Sequence, residues 1–162
     1  MLIRDVNKKD FEKLNELFMQ IDFIHSEAHP DLFNQPVKHA RSDEYLISIF
    51  QNDKQKLIVA IEDNMIVGLA IAAIESAPDV PLFKKRMWLT ISTIIVDEDH
   101  RGKGIGKMLL GDLYRWAKKK NINEVELTVF AFNESAIEFY KKNGFRDIRT
   151  KMRKNISDYN KK

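Results

Sequence analysis

The chain contains no cysteine. Disulfides, thiolate metal sites and cysteine nucleophiles are therefore excluded from its chemistry. It also lacks any apolar run of membrane-spanning length, and Met1-Leu2-Ile3-Arg4-Asp5 does not read as a secretory leader, so a cytoplasmic protein without a membrane partner is expected. Neither charge sign dominates. Its 27 basic and 24 acidic residues leave a net charge of +3, compatible with a phosphorylated ligand but too mild to argue for nucleic acid. Internal repeats and linker-like stretches are absent too. With 162 residues, 44% hydrophobic and 31% charged, the composition is that of one globular domain over residues 1–154, followed by a polar tail over 155–162.

Glycine is scarce, six in all, and three of them fall in one turn. Met87 to Val96 is rich in β-branched residues and reads as a buried strand. Asp97-Glu98-Asp99-His100 ends it, Arg101-Gly102-Lys103-Gly104-Ile105-Gly106 follows, and Ile105, Met108, Leu109, Leu113, Trp116 and Ala117 then recur at helical spacing. A helix that starts in a glycine-rich turn leaves N–H groups without partners at the positive end of its dipole, which makes an anion site. Arg101, Lys103 and Lys107 add charge at the same place, so the stretch reads as a pyrophosphate cradle. It is not a Walker loop, because the glycine spacing differs and Lys107 is followed by Met108, which cannot bind magnesium. Nor is it the dinucleotide fingerprint, since the spacing is G-x-G-x-G. A glycine-rich turn that merely starts a helix is the plainer reading.

Elsewhere the pattern predicts a strand over 2–6, a helix capped by Asn7 with Phe11, Leu14, Phe18, Ile21 and His25 on one face, and a helix from Ser42. A hairpin is expected around Glu62-Asp63-Asn64, then strands over 124–131 and 145–152 on either side of a helix over 133–142. Such an order predicts an α/β (α+β) domain with a mixed sheet flanked by helices. His25-Ser26-Glu27-Ala28-His29 is not H-E-x-x-H, and Pro30 interrupts the helix, so no metal is expected.

Arg101, Gly104 and Gly106 match the pattern Arg/Gln-x-x-Gly-x-Gly/Ala, and the turn resembles the acetyl-CoA-binding turn of the GCN5-related N-acetyltransferase (GNAT) family. Asn133 to Phe145, in which an asparagine opens a helix and Tyr140 precedes a Gly-Phe pair, resembles that family's downstream signature. Asn133 as N-cap and Gly144 after the helix also explain that segment locally, and Tyr140 can be a core aromatic. The resemblance covers residues 91–145 and implies the GNAT acyl-CoA N-acyltransferase fold with a mostly antiparallel sheet. It further implies direct acetyl transfer from acetyl-CoA, as co-substrate, to a primary amine of a small molecule or peptide. In that reading Ile94, Ile95 and Val96 would pair with the pantetheine arm. The turn Arg101, Gly102, Lys103, Gly104, Ile105, Gly106 and Lys107 would hold the pyrophosphate, Asn133 would help fix the arm, and Tyr140 would protonate the departing thiolate. The central strand carries no glutamate for the base, which leaves Glu75 first, with Glu126 and His25 behind it. Residues His25, Glu27, His29, Asp31 and Phe33 would border the acceptor. A non-catalytic acyl-CoA-binding or regulatory GNAT-like module is the alternative, and the sequence leaves a homodimer open.

Overall fold

Asn7 opens the first helical segment with a capping box. Its side chain accepts from the Lys9 N–H, and Asp10 accepts from the Asn7 N–H at 2.8 Å. Burial resists ionisation of Asp10, but the Arg4 guanidinium fork at 2.7 and 2.9 Å and the Asn7 N–H hold its carboxyl below the usual carboxylate range. This clamp joins the first strand, β1 (Leu2–Asp5), to α1 (Phe11–Ala28), which stops before Pro30 as proline requires. Ser42 caps α2 (Asp43–Phe50) from its hydroxyl. The hairpin β2 (Gln55–Glu62) and β3 (Met65–Ser76) turns on Asp63 and Asn64, both in the left-handed region at φ 48° and 63°. Next come β4 (Met87–Val96), α3 (Ile105–Lys119), β5 (Val125–Leu127) and α4 (Glu134–Lys142).

The structure, a computed structural model, describes residues 1–157, so most of the expected polar tail lies outside the described residues. Contacts divide the chain into two units, Met1–Thr128 and Val129–Lys162. The first holds a five-stranded sheet in the order β1-β2-β3-β4-β5, antiparallel throughout except for the parallel pair β4·β5. Among the described residues no helix is long and apolar enough to cross a membrane.

Each face of the sheet has its own cover. Leu57, Val59, Leu69, Ile71 and Ile95 pack with Phe11, Leu14, Leu17 and Phe18 of α1 and Leu46 and Ile49 of α2. On the other face α3 lies close to the sheet because the strand residues there are small, Gly68, Ala70 and Ala72. A Cβ on Gly68 would sit 2.9 Å from the Ile95 carbonyl oxygen and 3.4 Å from both Ile105 and Leu109. Backbone cannot move aside as a flexible side chain can. Gly68→Ala should therefore cost about 1–3 kcal/mol and lower Tm measurably, and an unchanged Tm would show that the α3–sheet contact is looser than described.

Two expected strands differ. The strand over 124–131 shortens to Val125–Leu127, because β5 pairs with β4 only at Leu89, Thr90 and Ile91. The ladder stops where β4 bulges at Ser92, between the pairs Ala72↔Ile91 and Ile71↔Thr93. No strand forms over 145–152, where Ile148 and Met152 are exposed and the apolar residues do not alternate.

In the second unit α4 carries no fully buried residue. It ends in a Schellman motif. Gly144, at φ 88°, donates to the Lys141 carbonyl at 3.0 Å, and Phe145 donates to the Tyr140 carbonyl at 3.1 Å.

Candidate functional site

The turn after β4 is built from two glycines in the left-handed region, Gly102 at φ 78° and Gly104 at φ 81°. A Cβ on either would meet nothing within 4 Å, so the concave side of the turn is open. Gly104 is the N-cap of α3, and no side chain caps that end. The first backbone bond of the helix runs from Met108 N–H to the Gly104 carbonyl at 3.1 Å, which leaves the N–H groups of Ile105, Gly106 and Lys107 without intrahelical acceptors. The contrast with other helical starts is informative: Asn7 caps the 3-10 turn that leads into α1, and Ser42 and Asn133 cap α2 and α4 with their side chains. Here the orphan donors and the positive dipole end are aimed at open space lined by Lys103 and Lys107, both exposed. Ile105 is buried and packs against Gly68, so it anchors the helix start beneath the turn.

The bulge at Ser92 decides which main-chain groups of β4 face outward. Before it, Arg86 and Ala77 form a hydrogen-bonded pair, so Trp88 and Thr90 bond to β3, and Leu89 donates to the Glu124 carbonyl on the β5 side. Beyond it the parity reverses. Asp97 donates to the Val67 carbonyl at 2.9 Å, and alternation assigns the Ile95 main-chain groups to Leu69. The groups of Ile94 and Val96 therefore point to the edge that β5 does not reach. Of the three residues expected beside the pantetheine arm, Ile94 and Val96 turn their main-chain groups to that edge and Ile95 turns its own to β3. Arg101 folds back along the same edge, its Nε donating to the Val96 carbonyl at 3.2 Å.

A bracing network lies under the turn that sequence patterns did not reveal. Gln20 of α1 donates to Asp97 at 3.2 Å and accepts from the Glu98 N–H at 3.2 Å. His100 Nδ1 lies 3.1 Å from Asp97, and its Nε2 lies 3.8 Å from Glu62 at the end of β2. Burial opposes ionisation of Asp97, yet the bonds from His100, Gln20 and the Asp99 N–H hold its carboxyl below its ordinary value. The residue pairs are up to 78 positions apart, and no local signal announces such partners.

The other expected residues lie elsewhere. Glu75 is exposed opposite Trp88, eight residues along β4 from Val96, or about 26 Å at strand rise. Its carboxylate makes no ion pair or hydrogen bond among the described residues. Glu126 is held by Arg86 at 2.7 Å, and the same guanidinium takes Glu124 and stacks over Trp88 at 4.3 Å. His25 stacks on Phe33 at 5.2 Å, and burial pushes its pKa down, with Asp22 opposing the shift. Asn133 Oδ1 caps α4 by accepting from the Ala136 N–H at 3.1 Å. The Tyr140 ring packs edge-on against Phe145 at 5.5 Å and Phe139 at 5.2 Å. The first of these contacts is the apolar partner that a Schellman motif recruits, so packing explains the ring. A cavity of about 310 Å³, lined by Ile49, Phe50, Lys56 and Trp116 among others, lies at the far end of α3 and contains none of the expected residues.

Comparison with known proteins identifies the family and the fold. The family model described as the acetyltransferase (GNAT) family matches residues 18–145. An uncharacterised N-acetyltransferase of Methanocaldococcus jannaschii is 31% identical over 145 residues, covering 90% of this chain. The chain spans 60% of that relative's own length. A tetramutant of a Bacillus halodurans protein has a TM-score of 0.91 at 25% identity, covering 96% of this chain and 99% of the other. An aminoglycoside N-acetyltransferase solved in complex with CoA shares the fold at a TM-score of 0.70 and 21% identity, over 95% of this chain and 98% of its own.

Proposed function

Since this chain belongs to the acetyltransferase (GNAT) family, we propose that it transfers the acetyl group of acetyl-CoA directly to a primary amine of a small molecule or peptide. The observation that carries the reading is the start of α3. An uncapped helix end, two left-handed glycines and open space around them fit a diphosphate that accepts from the N–H groups of Ile105, Gly106 and Lys107. Family members use acetyl-CoA, and the CoA bound by the aminoglycoside N-acetyltransferase supports the same donor here. Bound there, it would supply an activated thioester. The match runs across the boundary at Thr128, which supports reading the two units as one domain over 1–154.

In this reading the main-chain groups of Ile94 and Val96 hold the pantetheine arm as an added strand would, and Asn133 helps fix it. Ile95 supports that edge only indirectly, its side chain being buried in the core beneath it. The amine must lose a proton before it attacks the thioester carbonyl. The proton passes to Glu75 through a relay of waters, because its carboxylate is exposed but stands well down β4 from Val96, whereas Glu126 is committed to Arg86. The tetrahedral adduct then expels the CoA thiolate, which Tyr140 protonates, and the second proton of the amine nitrogen leaves through solvent to restore the Tyr140 hydroxyl. A chain without cysteine needs no covalent enzyme intermediate for this route. The proposal includes a cytoplasmic setting, which rests on the sequence alone.

The charged residues of the turn act through binding. Alanine at Arg101, Lys103 or Lys107 should raise KM for acetyl-CoA by about fivefold each, near 1 kcal/mol, with a smaller change in kcat. Steady-state kinetics check this, and a fall in kcat alone would displace those side chains from the site.

One observation favours a non-catalytic acyl-CoA-binding module: the Tyr140 ring already has a packing role. An amine library assayed for CoA release separates the two. Acetylated product with at least one primary amine supports the transferase, whereas acetyl-CoA binding with no turnover on any amine supports the module.

A further inference from the structure

Lys103 is the one charged side chain between Arg101 and Lys107, and it is exposed. Its Nζ lies 3.8 Å from Glu62 Oε2, and the same oxygen lies 3.8 Å from His100 Nε2. Glu62 is half-buried at the last position of β2, fixed opposite Met65 by the tight turn at Asp63 and Asn64. One anchored carboxylate thus faces two groups that can carry positive charge, beside a site built for an anion. A structural ion pair needs no such placement. A surface pair of this kind adds little stability, but a negative charge this close to a bound diphosphate repels it and competes for its lysine.

We propose that Glu62 is a specificity-tuning residue that competes with the donor's diphosphate for Lys103 and so holds affinity for phosphorylated acyl carriers below what the turn alone would give. The inference rests on the cradle reading above. When Lys103 turns to the diphosphate, Glu62 keeps His100 as a neighbour, and His100 stays tied to Asp97, so the brace survives the exchange. Acetyl-CoA and its product CoA carry the same diphosphate. Both are weakened alike, which speeds product departure as well as donor exchange.

Titration calorimetry on the full chain provides the test. Glu62→Gln keeps the shape and removes the charge, so acetyl-CoA and CoA should each bind about three- to tenfold tighter than to the unaltered chain. S-acetylpantetheine, which has the arm without phosphates, should bind both proteins equally. In a Lys103→Ala background the gain from Glu62→Gln should shrink, because the contested lysine is gone. Unchanged or weaker acetyl-CoA binding by a Glu62→Gln protein of normal Tm overturns the proposal while leaving the cradle standing. An equal gain for S-acetylpantetheine overturns it too, since charge on the diphosphate would then be irrelevant. Failure of the unaltered chain to bind acetyl-CoA at all would remove the cradle, and this inference with it.

Discussion

Tyr140→Phe is expected to lower kcat by about 10²–10⁴-fold, the usual worth of a positioned general acid, while acetyl-CoA binding and Tm stay close to those of the unaltered chain. The Schellman contact makes this substitution unusually clean. The ring that meets Phe145 and Phe139 is kept, the backbone bonds from Gly144 and Phe145 do not involve the side chain, and only one hydroxyl is lost. A purely structural tyrosine predicts the reverse, with near-normal turnover and, if the hydroxyl is bonded in the fold, a lower Tm. Single-turnover acetyl transfer separates chemistry from product release. An acyl donor with a more acidic thiol should recover part of the lost rate, because a less basic thiolate depends less on a proton donor. Turnover within about threefold of normal would remove Tyr140 from the acid role and leave water as the donor.

Gly104→Val should abolish the rise in Tm that acetyl-CoA confers. A ligand that binds only the folded chain stabilises it by about 2.7 kcal/mol at a hundred times Kd, an easily read shift. At φ 81° valine is strained, and its branched side chain would fill the open space where the diphosphate must approach the Ile105 and Gly106 N–H groups. The Tm without ligand is expected to fall by the strain of about 1–2 kcal/mol, so the decisive quantity is the ligand-induced shift and not Tm itself. A normal shift in the variant would take the diphosphate away from this turn.

The helix boundaries around both positions were legible in sequence because their signals are local, whereas the role of Tyr140 came only from resemblance to a family. Glycines at alternate positions, an asparagine at a helix start and a glycine after a helix end each fix φ or a capping bond within a few residues. Strand lengths are a different kind of fact. Residues 124–131 have strand composition, but pairing requires a partner whose main-chain groups point the right way, and the bulge at Ser92 turns them after Ile91. Nothing about serine in a β-branched run announces a bulge. The stretch 145–152 shows the same dependence, since a segment without a ladder partner is not a strand whatever its composition. Hidden most deeply was the brace under the turn, where Gln20, Glu62 and Asp97 come from three elements. Asp97 could be read as the end of β4, but its partners are set by how α1 and the β2–β3 hairpin pack.

The central claim is that the N-terminus of α3 receives the donor's diphosphate, and amide NMR during an acetyl-CoA titration tests it residue by residue. Saturable shifts should concentrate at the N–H groups of Gly104, Ile105, Gly106 and Lys107, with slowed hydrogen exchange at those positions once the ligand is bound. Shifts that spare these four amides, while clustering around the cavity at Trp116 or elsewhere, would contradict it.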